Sequence, residues 1–242
     1  MNVFFKKALA AVGTAAFIAG SAIGGSGTAA AASSESYSME LLLAPVWEGK
    51  ESYQESVLVV EEQDGSIAPI RLLYPVEQIQ NVKSASLETV YKEGIDYSIS
   101  DGKLLILPTG SIPRLTYTEF HPQTGTSGFE DRNGGYVLWK EGSWFHEHQI
   151  VVTYTHTQPY SGYIPEGKGK LLPDLRSKLK EGASLNLLVY GDSISEGGNS
   201  SGSPLINVPP YMPIYPELFA EGLKLRYGLK EVNVINASVG GK

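Results

Sequence analysis

One serine stands where it could do chemistry. Ser193 follows Leu185-Asn186-Leu187-Leu188-Val189-Tyr190-Gly191-Asp192 and precedes Ile194-Ser195-Glu196-Gly197. A hydroxyl at the end of an apolar run, with its own backbone N–H beside it, supplies two ingredients of acyl transfer: a nucleophile and an oxyanion donor. Five of the first six residues from Leu185 are apolar or aromatic and none is charged, the pattern of a parallel strand buried on both faces. A serine at the carboxyl end of such a strand lies where open α/β sheets bind their ligands. Asp192 is expected to brace the turn; Glu196 could face the pocket, but a solvated turn carboxylate is the expectation.

The elements around this serine follow a βαβ rhythm. Pro173 to Lys180 reads as a short helix, with Pro173 in its first turn, Leu175 and Leu179 on one face and Gly182 as its stop. Residues 213–227 read as an amphipathic helix through Tyr215, Leu218, Phe219, Leu223 and Tyr227, closed by Gly228. Glu231 to Asn236 is the next predicted strand, and the crossover between the two strands should be right-handed. The glycine-rich stretch Gly197–Ser203 lacks both the Gly-x-x-x-x-Gly-Lys-Ser/Thr and the Gly-x-Gly-x-x-Gly spacings, so a wall of the crevice fits it better than a phosphate cradle. Val239-Gly240-Gly241-Lys242 imitates a P-loop tail, but Asn236 stands where that motif needs its first glycine.

Gly191-Asp192-Ser193-Ile194-Ser195-Glu196-Gly197 resembles the first sequence block of the SGNH (GDSL-type) hydrolases, and Asn236-Ala237-Ser238-Val239-Gly240-Gly241 resembles their second, Asn-x-Ser-x-x-Gly. The resemblance implies a flavodoxin-like α/β domain, Ser193 as nucleophile, and the Gly241 N–H beside the Ser193 N–H in the oxyanion hole. Elementary geometry agrees, because adjacent parallel strands end at one edge and glycine lets the backbone approach closely. The family's third block, an Asn donor, and its late Asp-x-x-His do not follow Gly241. All four histidines precede Ser193. The expectation is a truncated esterase whose residues 184–242 are the front of the catalytic domain and which is nearly inactive as it stands, since a serine hydroxyl without a base is a poor nucleophile.

Residues 33–160 are rich in Val, Ile, Thr and Tyr and predict a β-sandwich, jelly-roll-like domain. Predicted strands are Glu55–Val60, Pro69–Leu73, Asp96–Ser100, Lys103–Leu107, Arg114–Glu119, Gly135–Trp139 and Gln149–Thr155, with Asp101-Gly102 as a two-residue hairpin turn. Trp47, Trp139 and Trp144 either fill the core or present faces to sugar rings. His146, His148 and His156 have the even spacing of one strand face, but roughly 27 Å of strand between the last two argues against a shared metal. Residues 120–133 form a candidate binding loop, and residues 161–183 a linker with the short helix.

A basic start at Met1–Lys7, an apolar run from Ala8 to Gly20 and a small-residue end at Ala30-Ala31-Ala32 predict a secretory signal peptide, residues 1–32, cleaved after Ala32. The net charge is −7, and loss of Lys6 and Lys7 with the leader leaves the mature chain more acidic still. That balance fits no nucleic-acid partner. No later segment is apolar enough to anchor the chain in a membrane. There is no cysteine, hence no disulfide or thiolate site. No metal or organic cofactor is implied. The functional expectation is a secreted serine ester hydrolase acting on an acyl ester, first of all an O-acetylated polysaccharide. The alternatives are a carbohydrate-binding or cell-surface module, and an acyltransferase on the same scaffold.

Overall fold

The computed structural model describes residues 37–123 and 128–241. The signal-peptide assignment to residues 1–32 lies outside the described residues, as do residues 124–127 of the predicted loop. No helix among the described residues is long and apolar enough to cross a membrane.

After a short helix α1 (Met39–Leu42), the chain is rich in antiparallel β-structure. Its main sheet contains β1 (Glu51–Leu58), β2 (Gln78–Ser84), β3 (Val90–Tyr91) and β8 (Gln149–Thr155), in the order β1-β8-β2-β3, antiparallel throughout. Strand β8 reads Gln-Ile-Val-Val-Thr-Tyr-Thr because both its faces are covered. Ile150, Val152 and Tyr154 enter the main core, while Val151 packs with Ala85 and Leu87 on the other side. The hairpin β4 (Tyr97–Ser100) and β5 (Lys103–Ile106) lends Tyr97, Leu104 and Ile106 to the same main core. Its turn residues Asp101 and Gly102 have φ of +51° and +70°, the pair of left-handed conformations that Asp-Gly tolerates best. A smaller hairpin joins β6 (Gly128–Glu130) to β7 (Tyr136–Leu138).

Several predicted strands differ. Strand β2 is central yet has no alternating pattern, because its apolar residues Ile79 and Val82 are three apart. A register shift between Ile79 and Asn81 brings both to the main core. Pro69–Leu73 forms only an isolated bridge, Ile70 with Leu104. Arg114–Glu119 is likewise not a strand. Leu115 bridges Val60, and the chain then turns into α2 (Tyr117–Phe120). Thr116 and Glu119 close a capping box there: the Glu119 N–H donates to Thr116 Oγ1 at 3.2 Å and the Thr116 N–H to Glu119 Oε2 at 2.7 Å. His146 and His148 do not share a strand face with His156, since both belong to the short helix α3 (Trp144–His148).

The serine-bearing region contains α4 (Pro173–Lys180), β9 (Leu185–Val189), α5 (Ser193–Glu196), α6 (Tyr215–Tyr227) and β10 (Val232–Asn236). Strands β9 and β10 pair in parallel, with Leu185 opposite Val232 and Val189 opposite Asn236. Helix α6 ends at Gly228 in the left-handed conformation, φ +63°. Ala220, Leu229 and Val232 form the buried centre of this region, joined by Leu179, Leu185, Leu187, Leu223 and Val234. The opposite face of the pair is open, with Leu188 66% and Ile235 48% exposed. The expectation that the Leu185 strand is buried on both faces is therefore corrected: one helical layer covers one face of a two-stranded parallel sheet. A flavodoxin-like domain needs a wider sheet covered on both faces.

Candidate active site

The site is assembled from two turns at one edge of the β9–β10 pair. The first follows β9. Asp192 caps α5, its Oδ1 accepting from the Ile194 N–H at 3.0 Å, and Gly197 ends the helix at φ +92°. A cap of this kind holds the first turn open at its amino end, where Ser193 is the first helical residue. Ser193 is exposed. Among the described residues, no group bonds its hydroxyl.

The second turn follows β10 and runs back beside the first. Pairing continues past the strand ends: the Ala237 N–H donates to Val189 O at 2.8 Å, and the Val239 N–H to Gly191 O at 3.1 Å. Asn236 bridges the two turns, its Nδ2 donating to Ser195 O at 2.7 Å while its Oδ1 accepts from the Ser238 N–H at 3.1 Å. The Gly240 N–H donates to Glu196 Oε2 at 2.7 Å. Gly240 also abuts the serine, since a Cβ there would lie 3.4 Å from Ser193 Cβ and 2.9 Å from Glu196 Oε2. Next in the chain, Gly241 is exposed, has φ +73° and faces open space. Ser193 and Gly240 are thus brought together, although more than forty residues of sequence separate them, and Gly241 is the next residue of the same turn.

Glu196 is not the free, solvated carboxylate expected. It is half-buried and committed to the Gly240 amide. No local signal could reveal this, because its partner lies 44 residues on. The helical spacing of Tyr215 gives no hint that its hydroxyl pairs with Ser195 Oγ at 2.8 Å. Asn199 in the glycine-rich stretch reaches back into the β-rich region. Its Oδ1 accepts from the Gly142 N–H at 2.9 Å, and its Nδ2 donates to Lys140 O at 3.4 Å.

None of the histidines bonds Ser193. His146 donates from Nε2 to Pro209 O at 2.7 Å, and His148 from Nδ1 to Trp144 O at 2.7 Å, stacked on the Trp144 ring. His156 is buried against Tyr74 with ring centroids 3.6 Å apart, its Nδ1 donating to Gln158 O at 2.9 Å. His121 lies against Tyr117 and Phe120. Among the described residues, no three His, Asp or Glu side chains gather in a metal-binding cluster.

The surface carries two further features. A cavity of about 390 Å³ opens between β1, β8 and the 199–218 segment, with Gln54, Gln149, His146, Ser200 and Tyr215 among its lining. On the β6–β7 hairpin, Phe129 and Trp139 are 65% and 45% exposed, with ring centroids 5.6 Å apart. Trp139 continues to Phe145, and Phe145 to Trp144, in a chain of ring contacts. Trp47 instead packs near Tyr160.

Comparison with protein-family models, curated proteins and solved structures found no match in any of the three.

Proposed function

We propose that the protein is a secreted serine ester hydrolase of the SGNH type. The observation that carries the reading is the convergence of two turns at the carboxyl edge of a parallel pair, one bearing an exposed Ser193 and the other folding Gly240 against it. Ser193 Oγ attacks the ester carbonyl and gives its proton to a base. The tetrahedral oxyanion is held by the Ser193 and Gly241 N–H groups, and collapse expels the alcohol to leave an acyl-serine that water then hydrolyses. None of the four histidines bonds Ser193, so the base of this step is not one of them. The antiparallel sheet with the β4–β5 hairpin over its core is taken as the jelly-roll-like sandwich of an accessory domain. The substrate class proposed is O-acetylated carbohydrate, supported by the exposed Phe129 and Trp139 rings, which suit the face of a sugar. Those same rings favour a second reading, a carbohydrate-binding module in which the serine is idle.

The test is p-nitrophenyl acetate and acetylated xylan turnover by the protein expressed from its complete open reading frame. Ser193→Ala should lower kcat by on the order of 10⁴-fold or more, while residues 33–242 alone turn over little. Robust turnover that survives Ser193→Ala overturns the reading. Polysaccharide binding lost in Phe129→Ala and Trp139→Ala, without any Ser193-dependent hydrolysis, supports the binding module instead.

A further inference from the structure

We infer that Glu196 is a positioning residue: by holding the Gly240 N–H it fixes the turn that presents the Gly241 N–H beside Ser193. The inference rests on the esterase reading. Glu196 lies three residues after Ser193 on α5, so nucleophile and carboxylate project from neighbouring positions of one helical turn. Upstream, the second turn is held by backbone pairing as far as Val239 and by Asn236. Past Val239 the only side chain that fastens it, among the described residues, is Glu196. The acceptor is charged and half-buried, which makes this hydrogen bond stronger than a neutral one. Gly240 lets the backbone come close enough to make it, since any Cβ would press on the same carboxylate oxygen. Gly241 follows directly in the chain, in open space at φ +73°.

An oxyanion donor works only where it is aimed, and a displacement of about 1 Å can cost on the order of a hundredfold in rate. In the protein from its complete reading frame, Glu196→Ala should lower kcat by roughly tenfold to a hundredfold and leave KM within about twofold. Glu196→Gln keeps an acceptor oxygen and should recover most of the lost kcat. The second readout is hydrogen exchange at the Gly240 amide, slow in the parent and in Glu196→Gln, fast in Glu196→Ala. Unchanged kcat in Glu196→Ala, with Ser193 still essential, overturns the inference and spares the esterase reading. Absence of any Ser193-dependent turnover sinks the esterase reading. The Gly240 exchange rates then decide alone, and equal protection in parent and Glu196→Ala overturns the positioning role.

Discussion

Strands β8 and β9 are both short and apolar in sequence, yet they have opposite fates. Ile150, Val152 and Tyr154 of β8 are wholly buried, and Val151 is covered from the other side. In β9, Leu185 and Leu187 are covered by α6 and its neighbours while Leu188 stands in solvent. The difference is one of layers rather than residues. Strand β8 is flanked by β1 and β2 and has packed groups on both faces, whereas β9 has one strand neighbour and one helical cover. The β-rich region therefore holds its own core, and the serine-bearing region holds half of one. Ser193 is mounted on the less buried of the two.

That contrast can be broken by substitution. The largest effect is expected from Ile150→Ala, which removes a fully buried side chain at the centre of the main sheet and should cost about 2–5 kcal/mol, read from the urea midpoint. A loss below about 1 kcal/mol would mean that the two regions are equally loosely packed. A second probe is acid. The Ser111 N–H and then the Lys92 N–H donate to the Asp96 carboxylate and hold it below the usual carboxylate range. A lowered folded value means stability that is fully present above the ordinary carboxylate range and lost as the pH falls through the lowered value. Unfolding of the β-rich region on acidification should show this loss, and Asp96→Asn should remove that part of the pH dependence. Smaller again is Asp192→Ala, which deletes the cap of α5 at about 1 kcal/mol and should speed hydrogen exchange at the Ile194 amide. Smallest is Leu188→Ala, within about 0.5 kcal/mol because that side chain is already solvated. A large loss there would show that something covers the open face.

Legibility followed the same division between local and long-range causes. The Asp101-Gly102 hairpin, strand Gln149–Thr155 and helix Pro173–Lys180 were readable because turn residues, a continuous apolar run and an N-terminal proline act within a few residues. The Thr116-x-x-Glu119 capping box was present in the sequence but hidden by a β-prone reading of Arg114–Glu119. Strand β2 was hidden by its own register shift, which converts a three-residue apolar spacing into a single inward face. At the site, the serine turn and the second turn could each be picked out by residue type. The bond from Glu196 to Gly240 could not, since nothing near either residue in the chain points to the other.

Asn199 gives the joint between the regions a physical address that is not in the linker. Its two hydrogen bonds, with that from His146 to Pro209 O, stitch residues 140–146 to residues 199–209. Scissors applied near residue 160 would sever the covalent thread and leave these seams torn. The Gly142 amide and Lys140 carbonyl would lose their partner, and the glycine-rich stretch behind the serine would lose an anchor point. A surgeon separating the two halves would do better to follow the seam than the thread.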